Sequence, residues 1–110
     1  EANELKGYTV ITGLLGIYKP LLEVSESIFS AGLQGDKSAP LILTRLCKKL
    51  PSKHVRAYKQ AIATQPPTLP LFESPQNKEF YFRCRLIQDF ISGMTDQFAL
   101  DEYRELMAIN

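Results

Sequence analysis

One histidine and two cysteines bound the chemistry that this sequence can perform by itself. Catalytic metals are held by clusters of histidine, cysteine and carboxylate side chains. His54 stands alone in a lysine-rich stretch, where an imidazole reads as a surface residue or a capping partner. Cys47 and Cys84 have no CxxC spacing and no evident histidine partner, so neither reads as an activated nucleophile. They read as buried thiols of a reducing cytosol rather than as a disulfide. No GxSxG elbow is present. Two close glycine pairs occur, GLLG at 13–16 and GLQGDKS at 32–38. The second resembles a phosphate loop only outwardly, since it lacks GxxxxGK[ST] and follows no strand.

Anion binding is better supplied. Net charge is only +1, yet the stretch from Lys37 to Phe72 holds seven basic residues and no acidic one. From Asp89 to Glu105 the balance reverses, with Asp89, Asp96, Asp101, Glu102 and Glu105 against Arg104. Such segregation makes a local positive field that attracts polyanions whatever the total charge. The basic stretch RLCKKLPSKHVRAYK places Lys48, Lys49, Lys53, Arg56 and Lys59 around a proline corner, with His54 and Tyr58 interleaved. Lysine and arginine suit phosphates, and a planar ring suits a stacked base, so these five cations are candidates for binding single-stranded nucleic acid. A solvated helix face accounts for the same composition, and both readings stand at this point. Further on, YFRCRLIQDFISGMTDQF at 81–98 mixes charges with aromatic and branched side chains but contains no nucleophile, base or metal site.

The elements that must position these residues read as helical throughout. A length of 110 residues with 45% hydrophobic and 23% charged side chains fits one globular domain with a core of its own. Tyr8, Ile11, Leu15, Tyr18 and Leu22 mark one apolar helix face, divided near Tyr18 by Pro20. A short helix follows from Ser25 to Leu33 and stops at Gly35. Leu43, Leu46, Cys47 and Leu50 line the next, entered through Pro40 and ended by Pro51. Ser52 is the expected N-cap of a helix with Val55, Tyr58 and Ile62 inside. TQPPTLPLFESPQ at 64–76, with four prolines, is an extended connection. Phe80, Cys84, Ile87, Ile91 and Met94 form a further stripe, with Arg83, Arg85 and Asp89 off it. Gly93 weakens that helix end, and Thr95 caps a last helix carrying Ala99, Tyr103 and Leu106 inward. No strand alternation occurs. The expectation is an all-α, irregular bundle of about five or six helices, a single domain over 1–110. No apolar run is long enough for a membrane span, and the start at Glu1 points to a piece of a larger cytoplasmic protein.

Three segments carry a family resemblance. GYTVITGLLGIYKPLL (7–22), RLCKKLPSKHVRAY (45–58) and YFRCRLIQDFISGMTDQFALDEYRELMAIN (81–110) are similar, in this order, to the C-terminal end of bacterial deoxyguanosine triphosphate triphosphohydrolases of the HD-domain superfamily. DFISGMTD is the most specific of these signatures. The resemblance implies an all-helical enzyme that cleaves dGTP to deoxyguanosine and tripolyphosphate and depends on Mg2+ or Mn2+. It also implies oligomers, commonly hexamers, with single-stranded DNA as a partner of some members. The His…His-Asp…Asp motif that holds the metal in that family has no counterpart here, so the resemblance implies a C-terminal portion without the catalytic centre, expected to be inactive alone.

By the same resemblance, Glu4 matches a glutamate that recognises guanine, and Arg45 an arginine that reaches toward the nucleotide. Lys37 corresponds to a further basic residue in a loop of variable length. The chemistry suits: a carboxylate accepts from guanine N1–H and the 2-amino group together, and arginine binds phosphate oxygens bidentately. The remaining alternatives are a small module binding single-stranded nucleic acid and a purely structural oligomerisation element.

Overall fold

A computed structural model of the chain describes residues 2–64 and 74–109, with the side chains of 9–64 and 74–108. Proline and glycine set most of the boundaries. Helix α1 (Ala2–Tyr18) gives way to a short 3-10 turn at Lys19–Leu22, with Pro20 in its first residues. Helix α2 (Glu26–Gln34) starts at Ser25, whose hydroxyl accepts from the Ile28 N–H at 3.3 Å, and closes on Gly35 at φ +70°. That left-handed backbone is cheap only for glycine. Helix α3 (Leu41–Lys49) begins after Pro40 and ends at extended Leu50, the conformation favoured before Pro51.

Helix α4 (Ser52–Ala63) corrects one expectation. Pro51 occupies the N-cap position without a side-chain cap, and Ser52 is already the first helical residue. Helix α5 (Pro75–Ser92) is capped by Ser74, which accepts from the Asn77 N–H at 3.1 Å. Pro75 opens this helix, where a missing N–H costs nothing, so the connection expected over 64–76 ends at Ser74. Its residues 65–73 lie outside the described part. Helix α6 (Asp96–Ile109) follows Gly93, with the Thr95 hydroxyl accepting from the Phe98 N–H at 3.2 Å. Six helices and no strand, among the described residues, make the all-α bundle expected from the sequence.

Two apolar faces sit one residue away from where spacing places them. Among the described side chains of α1 the buried ones are Val10, Leu14 and Tyr18, continued by Leu21, while Leu15 is 47% exposed and the expected Tyr8 lies outside the described side chains. The 3-10 turn explains the end of this series, since three residues complete a turn there and bring Leu21, not Leu22, below Tyr18. On α5 the stripe holds at Ile87 and Ile91 but fails at Phe80, which is 44% exposed. Glu79 and Arg83 face inward instead, a second correction.

Packing pairs α4 with α5, α1 with α6 and α2 with α3. A Cβ on Gly13 would collide with the Tyr103 ring, and one on Gly32 would stand 3.3 Å from Cys47 Sγ. Tyr18 meets Phe90, and Phe29 meets Tyr58, each edge to face at 5.5 Å. The radius of gyration is 15.1 Å, above the roughly 13 Å of a compact domain this long. The molecule is a slab of 46 × 34 × 22 Å, and its thinnest dimension is about two helix diameters.

Candidate functional site

The most extensively hydrogen-bonded buried polar cluster among the described residues is one that the sequence pattern hid. Arg83 and Glu79, one turn apart on α5, are 2% and 4% exposed. Arg83 donates from Nε and Nη2 to the two carboxylate oxygens of Glu79, at 2.8 and 2.5 Å. Its Nη1 donates to the carbonyls of Leu21 and Val24 at 3.2 and 2.6 Å. Tyr58 of α4 donates to Glu79 Oε2 at 2.5 Å. The guanidinium carbon also lies 5.1 Å from the Phe29 ring centroid.

Burial penalises the Glu79 carboxylate, but hydrogen bonds from Arg83 and Tyr58 and the Arg83 charge outweigh it and hold its pKa below the usual range. Burial, followed by the bond to Glu79, pushes the Tyr58 hydroxyl well up. These groups satisfy one another, as buried charges must. The cluster fastens α5 to α4, to α2 and to the corner after α1. Its one local sequence signal is glutamate four residues before arginine, the favourable order on a helix.

The residues expected to bind lie elsewhere and differ among themselves. Lys37 is exposed between α2 and α3, beside Asp36, whose carboxylate accepts from the Ser38 N–H at 2.9 Å. Those bonds from Ser38 hold the Asp36 carboxyl below its usual range. Arg45 and Lys48 on α3, with Lys53, Arg56 and Lys59 on α4, are exposed. None of these six cations forms an ion pair among the described residues. Lys49 does: its Nζ stands 2.9 Å from Glu105 Oε1 and 3.6 Å from Glu102 Oε1, both on α6. The hydrogen bond to Glu105 raises the Lys49 pKa, keeping it charged. Glu4 belongs to α1, and its side chain is outside the described part.

His54 is half-buried and lines two clefts. One, of about 170 Å³ between α4 and α5, is bordered by Tyr58, Phe82, Arg85 and Asp89. The other, of about 410 Å³, adjoins Lys49, Pro51, Met94 and Phe98. Among the described residues no three histidine, cysteine or carboxylate side chains converge as metal ligands. The described residues therefore offer no fitting donor set for the divalent cation implied by the resemblance. Cys47 is buried, which pushes its thiol up to about 11 and leaves it unreactive. No helix among the described residues is long and apolar enough to cross a membrane.

Residues 43–105 match the profile of the phosphohydrolase-associated domain. Two relatives, from two strains of Klebsiella pneumoniae and both named deoxyguanosinetriphosphate triphosphohydrolase, are each 49% identical over 110 residues. These alignments cover 99% of this chain and 21% of each relative. The chain thus spans about one fifth of their length.

Proposed function

The chain belongs to the phosphohydrolase-associated domain family, and from that premise we propose that it is the C-terminal part of a dGTP triphosphohydrolase. Its role is to build and shape the nucleotide site rather than to perform the bond cleavage. The observation that carries this reading is 49% identity along 99% of the chain to relatives bearing that name. The slab shape supports it too, since a two-layer helical plate offers a broad face to a larger body.

In this reading Arg45 and Lys37 meet the triphosphate. Arginine stays charged and grips oxygens bidentately, and an exposed, unpaired cation is available to a ligand without breaking an internal bond. Glu4 accepts the N1–H and 2-amino protons of guanine, which adenine cannot offer in that pattern. Mg2+ or Mn2+ and the groups that activate water come from the remaining polypeptide, so no step of the cleavage is assigned to these residues. The intact protein is cytoplasmic and assembles as a homo-oligomer, commonly a hexamer.

A second reading has its own support. Lys48, Lys53, Arg56 and Lys59 are exposed around one corner and form no ion pair among the described residues, which suits the phosphates of single-stranded DNA. It adds a partner to the enzyme and does not replace it.

The test is tripolyphosphate release from dGTP. The 110-residue chain alone should release none, whereas the longer polypeptide containing it should do so with a divalent metal. In that polypeptide Glu4→Gln should narrow the preference for dGTP over dATP. Metal-dependent turnover by the isolated chain, or an unchanged preference, would refute these assignments.

A further inference from the structure

We propose that helix α6 carries a built-in competitor for phosphate: Glu102 and Glu105 hold Lys49 away from an oligophosphate that Arg45 and Lys48 otherwise share with it. The inference rests on the reading above that Arg45 meets the phosphate chain, and it adds what regulates that contact.

Arg45, Lys48 and Lys49 are spaced i, i+3 and i+4, so they lie along one side of α3. Among the described residues, Arg45 and Lys48 are exposed and form no ion pair, whereas Lys49 is engaged. Its partners are unequal. Glu102 is 8% exposed, and its Oε2 is buried without a hydrogen bond. The Glu105 side chain, which makes the shorter contact, is 54% exposed. An ion pair open to water on one side is weak, and a lysine ammonium on its flexible stem reorients readily.

An oligophosphate presents several charges within reach of the same side chain, so it can draw Lys49 off α6. Release leaves Glu102 and Glu105 without their counter-ion beside a bound polyanion. Phosphate binding and the docking of α6 therefore oppose each other, and by linkage each weakens the other equally.

The experiment is calorimetric titration of the 110-residue chain with inorganic tripolyphosphate at low ionic strength. E102Q/E105Q should bind about fivefold to tenfold more tightly than the unmodified chain. Adding K49A to that variant should remove the gain, whereas K49A alone should change affinity by about twofold or less. If E102Q/E105Q does not fold, E105Q serves alone, because Glu105 is exposed. A gain that persists without Lys49 reflects only the general field and overturns the proposal. Absence of any gain while R45A abolishes wild-type binding also overturns it, yet leaves the phosphate role of Arg45 standing. If neither the unmodified chain nor the variant binds tripolyphosphate, both fall.

Discussion

Arg83 and Arg45 carry the same guanidinium into opposite surroundings. Arg83 is sealed between α5, α4 and the corner after α1, and its donors are met by Glu79 and two carbonyls. Arg45 stands in water on α3 with no ion pair among the described residues. A satisfied, buried cation has nothing left to offer a ligand and holds the architecture. An unsatisfied, exposed one contributes little to folding and keeps its capacity for a phosphate. Helix α4 repeats the contrast, turning Tyr58 inward to Glu79 and Lys53, Arg56 and Lys59 outward.

The largest expected effect breaks the buried side of this comparison. Arg83→Ala leaves Glu79 buried and unpaired and two carbonyls unmet, and should destabilise the chain by about 3–5 kcal/mol. Urea unfolding would measure it, and a loss below about 1 kcal/mol would mean that water reaches the cluster. Tyr58→Phe is milder, costing about 1.5–3 kcal/mol at neutral pH because the lost bond is to a charged group.

Its pH dependence has a definite sign. The folded Glu79 carboxyl is held low, so its contribution is present above the unfolded glutamate value, about 4.3. That contribution fades as pH falls through the folded value. Tyr58→Phe weakens the depression, so wild type and variant should converge in stability as the solution is acidified below that range. A difference that stays constant with pH would place the effect in packing instead. The smallest effect belongs to Arg85→Ala. The Arg85–Asp89 contact is 3.8 Å long with both side chains about half exposed, and its loss should leave the midpoint of urea unfolding essentially unchanged in the same assay.

That last pair shows what a sequence can and cannot disclose. Glu79–Arg83 and Arg85–Asp89 are both i, i+4 ion pairs on one helix, differing locally only in the order of acid and base. Side-chain exposure separates them, 3% and 4% against 53% and 46%. The deciding partners are distant: Tyr58 is 21 positions from Glu79, and Leu21 is 62 from Arg83. No window of helical periodicity contains that information. The boundaries at Ser25, Gly35 and Thr95 were legible because their causes are local, acting within a turn of where they stand. Faces were legible to within one residue, and α1 slipped because apolar side chains crowd more than one side of it.

The cations of the basic corner were legible as a charge pattern. Their division into free and engaged was not, because Lys49 finds its carboxylates on a helix more than 50 positions away in sequence. Glu4, Lys37 and Arg45 came from family resemblance. Lys37 and Arg45 are exposed, the Glu4 side chain lies outside the described residues, and substitution is what tests all three.

The most direct measurement is Arg45→Ala in the intact polypeptide, reading dGTP turnover and thermal melting on the same preparation. The account predicts that KM for dGTP rises by about tenfold or more, the loss of one charge-assisted bidentate contact, while the melting temperature stays within about 1 °C. An unchanged KM would contradict it by removing Arg45 from the phosphate site. A melting temperature that falls in step with activity would contradict it as well, by making Arg45 a structural residue like Arg83.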